Sequence, residues 1–155
     1  RPDGEPGIYG VVHFSNSAVG VVAIDDHDRV ALVGQHRYAF DEYHWEIPEG
    51  GCPLDETPLA ATQRELQEET GLSARRWVEL MRLHTSNSIT DEVGIVYLAG
   101  DLVPGQTQHE ETEDIAVRVL PVSAAVEMAL SGEITDALSV AALLRYELMQ
   151  TSSGS

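Results

Sequence analysis

The sequence predicts an α/β (α+β) domain in which a mixed sheet is packed between helices. Short runs of β-branched and apolar residues recur along the 155 residues, and helix-period stretches stand among them without regular strand–helix–strand alternation. Neither a linker nor an internal repeat divides the chain, so residues 1–155 read as one domain. A chain of this length can hide about 70% of its unfolded surface, enough for a core without disulfides or a structural metal. Its 43% hydrophobic and 23% charged residues exclude wholesale disorder and collagen-like repetition.

Residues 1–7 are rich in Pro, Gly and charge and read as a mobile arm. Ile8–Phe14 and Ala18–Ile24 read as strands, Asp25–Asp28 as a turn and Val30–Val33 as a third strand. A helix is predicted over Thr57–Thr70: Thr57 is the N-cap, Pro58 takes the first helical position, Leu59 and Leu66 share one stripe, and Gly71 supplies the stop. Further strands are expected at Trp77–Leu83, Glu92–Ala99 and Ile115–Leu120. Helices are expected at Ser123–Leu130 and Ile134–Gln150, with residues 151–155 as a frayed, disordered tail.

Charge narrows the function. Twenty-six acidic residues against nine basic ones give a formal net charge of -17, which disfavours nucleic acid and anionic membranes as partners. An anionic substrate is still admissible where local Arg or metal overturns the sign inside a site. The lone Cys52 cannot form an internal disulfide and no apolar run approaches the length of a membrane span, so a cytoplasmic location is expected.

On the predicted helix, Glu65, Glu68 and Glu69 are related by i+3 and i+4 and share one surface. Each like-charged pair at this spacing costs a few tenths of a kcal/mol, and the helix dipole disfavours anions in its last turns. Clustered carboxylates suit a hard, oxygen-seeking dication such as Mg²⁺, with Ala61 one turn earlier leaving room above them. The bland alternative is a solvated acidic stripe.

The wider context weighs against that alternative. From Gly50 the chain reads GGCPLDETPLAATQRELQEETGL, with Gly50, Glu56, Arg64, Glu65, Leu66, Glu68, Glu69, Gly71 and Leu72 at fixed spacing over 23 residues. This resembles the signature of the Nudix hydrolases at every defined position and implies their α/β/α sandwich. The resemblance implies that Glu65 and Glu69 are the principal ligands of a divalent metal, with Glu68 a third and the backbone carbonyl of Glu49 another. It implies Mg²⁺ as cofactor, with Mn²⁺ as a substitute. Arg64 and Glu56 would form a salt bridge fixing loop to helix; Gly50 and Gly71 would serve backbone geometry and Leu66 the core.

Nudix enzymes characteristically cleave a nucleoside diphosphate linked to another group. Three further segments are similar to the ADP-ribose and ADP-sugar pyrophosphatases of that family. Val33–Tyr38 followed by Trp45–Gly50 places Arg37 to contact phosphate and Glu46 to contact substrate hydroxyls or the base; the alternatives are an ion pair for Arg37 and core packing for Trp45. Glu111-Thr112-Glu113-Asp114-Ile115 is similar to their glutamate-rich loop, so Glu111 is assigned as general base and Glu113 as a further ligand. Gly132–Asp136, leading into the last helix, also fits.

One region departs: Thr85–Glu92 lacks the proline often found there, and Asp91 and Glu92 either support the site or end a turn. The resemblance implies hydrolysis of ADP-ribose to AMP and ribose 5-phosphate, by a homodimer. The competing readings are a Nudix hydrolase of dinucleoside polyphosphates, NADH or GDP-mannose, and a silent nucleotide-binding sensor.

Overall fold

A computed structural model describes residues 4, 6–105 and 115–153. The strands are β1 (Ser17–Ala23), β2 (Arg29–Arg37), β3 (Glu42–Glu46), β4 (Glu49–Cys52), β5 (Leu72–His84), β6 (Val93–Pro104) and β7 (Ala116–Pro121); the helices are α1 (Pro58–Thr70), α2 (Val122–Ser131) and α3 (Ala137–Ser153). The β-structure divides into two sheets, ordered β4-β1-β6-β5 and β3-β2-β7. β1 runs parallel to β6 and antiparallel to β4, so the larger sheet is mixed as expected.

Layering follows from the two-residue side-chain period of β1. Val21 and Ala23 pack with Leu66 of α1, and Val19 packs with Ala61 and Cys52. On the opposite face Val22 joins Val96, Leu80 and residues of α2 and α3, among them Val126, Ala142 and Leu143. β1 therefore has helices on both faces, which is why its residues read as a continuous apolar run instead of alternating. Val19, Val21 and Val22 are fully buried, each stabilising the fold by about 1.5–3 kcal/mol relative to exposure.

The helix signals around α1 hold. Thr57 Oγ1 accepts from Ala60 N–H at 3.2 Å, Pro58 opens the helix, and Gly71 sits at φ 71° with its N–H donating to Gln67 O. Asp25 Oδ1 caps the turn after β1 by accepting from the His27 and Arg29 N–H groups.

Several expectations need correction. Ile8–Phe14 is not a strand: its apolar side chains are exposed, and it meets the Ser86–Asp91 loop through one bridge, Val12 to Thr90, with Tyr9 donating to Ser88 O and His13 paired to Asp91 at 2.8 Å. Among the described residues that bridge is isolated and is not continued into a ladder. β3 and β4 were not foreseen, because Trp45–Gly51 interrupts any clean alternation with Pro48 and two glycines, Gly50 and Gly51. The helix expected from Ile134 starts at Ala137, after Asp136 accepts from Ser139 N–H as its cap. It continues to Ser153, through residues read as a tail. Ala61 is fully buried against Val19 and so belongs to the core.

Candidate active site on the α1 carboxylates

Two short connections deliver the site. β4 hangs on β1 through the pairs Ser17 to Cys52, Ala18 to Gly51, Val19 to Gly50 and Gly20 to Glu49. α1 is pinned beneath β1 by Leu66, so its glutamates rise beside the first residues of β4. The Glu49 N–H donates to Glu69 Oε2 at 3.0 Å. A Cβ on Gly50 would overlap the Glu65 carboxylate, so only glycine admits Glu65 at that point. Glu65 and Glu69 thus converge on consecutive backbone positions. Glu69 is 6% exposed, unlike a member of a solvated acidic stripe.

Arg64 gathers the remaining charge. Its Nη1 donates to Glu65 Oε1 at 2.7 Å and Glu68 Oε2 at 3.0 Å, while Nη2 donates to Glu56 Oε2 at 3.1 Å and Gly51 O at 3.0 Å. The predicted Arg64–Glu56 bridge is present, and it belongs to a network and not to an isolated surface pair. Partial burial works against the guanidinium charge, and hydrogen bonds to Glu56, Glu65 and Glu68 more than offset it, raising its pKa.

Across β4 a second group forms around Arg37. Its Nε donates to Glu46 Oε1 and Oε2, both at 3.0 Å; its Nη2 pairs with Glu46 and reaches Glu49 Oε1 at 3.2 Å. Glu46 is buried, so the two residues expected to touch substrate also hold each other. Glu49 is pushed well above the usual carboxylate range by burial first, then by Asp136 and Glu46, with Arg37 pulling the other way. Its Oε2 is buried without a hydrogen-bond partner among the described residues. Trp45 is half-buried against the core, with the Arg118 guanidinium 4.1 Å from its ring centre.

Arg37, Glu49 and Asp136 form a wall shared by two cavities of about 500 and 610 Å³. The first extends past Gly50 and Gly51 to Thr85 and Glu92. The second runs to Phe40 and His44, whose rings lie 5.6 Å apart. Sequence reasoning gave Asp136 no role, although an Asp just before a helix is a cap signal. Glu111 and Glu113 lie outside the described residues.

Among the described residues no three acidic, histidine or cysteine side chains are gathered tightly enough to enclose an ion. Glu65 and Glu68 turn to Arg64, and Glu69 to the Glu49 N–H. The donor set nevertheless fits a hard dication. It is all oxygen, it lies on one arc of α1, and the Gly50 cradle holds one carboxylate where a side chain would exclude it.

The NUDIX domain profile matches residues 15–143. The chain belongs to the Nudix family. It is 35% identical over 144 residues to the ADP-ribose pyrophosphatase of Mycobacterium tuberculosis, covering 91% of this chain and 69% of that protein. It is 32% identical over 135 residues to the ADP-ribose pyrophosphatase of Bacillus subtilis, covering 86% of this chain and 73% of that one. A crystal structure described as an ADP compounds hydrolase superposes with a TM-score of 0.81 over 91% of this chain and 76% of its own, at 23% identity, a likeness of fold. This Nudix hydrolase shares with its family a general need for a divalent metal. No helix among its described residues is long and apolar enough to cross a membrane.

Proposed function

We propose that this Nudix hydrolase cleaves the diphosphate bond of ADP-ribose, giving AMP and ribose 5-phosphate. The observation that carries the reading is the convergence of Glu65 and Glu69 on Gly50 and Glu49 beside a cleft whose wall holds Arg37. The choice of ADP-ribose rests on the two ADP-ribose pyrophosphatases to which the chain is similar.

Glu65 and Glu69, with Glu68 and the Glu49 carbonyl, are assigned to hold Mg²⁺, for which Mn²⁺ substitutes. A bound dication supplies charge neutralisation of the diphosphate and Lewis acidity toward water. Arg37 binds phosphate, oriented by its bonds to Glu46 and Glu49; Glu46 meets substrate hydroxyls or the base. Glu111 takes the proton as the water oxygen attacks phosphorus and the bridging P–O bond breaks, and Glu113 adds a further ligand; both roles rest on the family likeness. Glu56, Arg64 and Gly50 support the site without touching substrate. The working enzyme is taken as a cytoplasmic homodimer of one domain per chain, with no nucleic-acid or membrane partner.

A substrate panel with chromatographic identification of products, with and without Mg²⁺, tests this. Release of AMP and ribose 5-phosphate from ADP-ribose supports it. Preferential cleavage of a dinucleoside polyphosphate, NADH or GDP-mannose reassigns the substrate. Binding without turnover makes the domain a sensor.

A further inference from the structure

Two residues without a functional side chain, Ile47 and Pro48, make the corner between β3 and β4. Both of their neighbours carry the site. Glu46, before the corner, holds Arg37; the N–H of Glu49, after it, holds Glu69. How the corner is anchored therefore sets where both groups stand.

Ile47 lies just past Glu46, the last β3 residue paired with β2, so the ladder does not take its N–H, and Pro48 has none to offer. The Ile47 N–H instead donates to Ser139 Oγ of α3 at 2.9 Å. From the other side, Val21 N–H of β1 donates to Pro48 O at 2.9 Å, and Ile47 lies so close to Gly20 that a Cβ there would meet its Cδ1 at 3.0 Å. β1 and α3 thus grip the corner between them. Ser139 is itself fixed: it is fully buried, and its N–H donates to Asp136 Oδ2 at 2.7 Å in the cap of α3. Its neighbours Leu138, Ala142 and Leu143 belong to the apolar core, as does Ile47. A hydroxyl kept in such a layer needs a purpose. Buried Thr62 donates to Pro58 O within its own helix, whereas Ser139 reaches across to the corner.

We propose that Ser139 is a positioning residue: through the Ile47 N–H it sets Glu46 and Glu49 together. It thereby couples the Arg37–Glu46 pair, which meets substrate, to the Glu49–Glu69 pair, which meets metal. This rests on the reading of the site as a metal-dependent diphosphate hydrolase.

The test measures Mn²⁺ affinity without substrate by electron paramagnetic resonance, and KM and kcat for ADP-ribose at saturating Mg²⁺, in wild type, Ser139→Ala and Ser139→Cys. Alanine leaves the Ile47 N–H unpaired. It should weaken Mn²⁺ binding about tenfold, the low end for partners outside a metal's ligand shell. KM should rise by about the same factor with kcat within about threefold, because Arg37 and Glu46 act in binding. Ser139→Cys, close to serine in volume but a weak acceptor, should move both quantities in the same direction and carries the test if the alanine variant does not fold. A variant that melts lower yet binds Mn²⁺ and ADP-ribose as wild type does would make Ser139 part of the scaffold only and overturn the proposal. Movement of one quantity without the other would overturn the coupling. Wild type that leaves ADP-ribose intact reassigns the substrate, and the Mn²⁺ arm still decides Ser139. Wild type that takes up no Mn²⁺ refutes the reading of the site, and the proposal falls with it.

Discussion

The backbone N–H of Glu49 donates to Glu69 Oε2 at 3.0 Å, tying the first residue of β4 to the last turn of α1 through a carboxylate that is 6% exposed. A solvated acidic stripe has no reason to bury one of its members against a strand. Charge held there, at the unfavourable end of the helix dipole, points to a cation as its purpose.

Glu69→Gln separates charge from structure. The glutamine oxygen can still accept from Glu49 N–H, so the melting temperature should stay close to wild type. Outer-shell partners of a metal are worth about 10–100-fold, so a direct ligand should cost turnover of ADP-ribose more than about 100-fold. Steady-state kinetics with Mg²⁺ and a thermal melt check both halves; an unchanged kcat removes Glu69 from the site.

Gly50→Ala should also lose activity while the fold survives. The added methyl overlaps the Glu65 carboxylate, the far end of a flexible side chain, which can swing aside. Turnover is therefore expected to fall at least tenfold, the lower range for disturbed metal surroundings, with little change in denaturant midpoint. Equal losses of stability and activity would make Gly50 a backbone requirement only.

α1 and its surroundings were the most legible part of the sequence because cap, stripe and stop are local signals: Thr57, Leu66 and Gly71 act within one or two turns of where they stand. The partners of the glutamates were not legible. Glu69 meets Glu49 twenty residues away through the β1–β4 pairing, and β4 itself was missed. The Arg37–Glu46–Glu49–Asp136 group joins β2, β3, β4 and the lead into α3, which no periodicity relates. Ile8–Phe14 misled for the converse reason, since strand-forming residues there find almost no partner.

Arg64→Lys tests whether Arg64 organises the loop as a fork or only as a charge. A single ammonium cannot reach Glu56, Glu65, Glu68 and Gly51 O with the planar geometry seen here. Stability should fall by about 1–2 kcal/mol, reduced from the range for charged hydrogen bonds because the side chain is partly open to water. Urea unfolding measures it, and a loss below a few tenths would reduce the network to a surface ion pair.

Glu49→Gln should stabilise the protein at neutral pH. Because the folded-state pKa of Glu49 is raised, its favourable contribution is complete below the ordinary value of about 4.3 and is lost as pH rises through the folded value. Melting temperatures should therefore coincide near pH 4 and diverge toward pH 8, with the variant higher. A variant less stable at pH 8 would show that the Arg37 contact outweighs burial and the neighbouring carboxyl groups.

Manganese uptake followed by electron paramagnetic resonance addresses the metal assignment most directly. Wild-type protein should bind Mn²⁺ saturably, release it to Mg²⁺, and lose at least about 100-fold in affinity when Glu65 and Glu69 are both changed to Gln. Equal uptake by the two proteins, or none by wild type even with ADP-ribose present, would contradict the account.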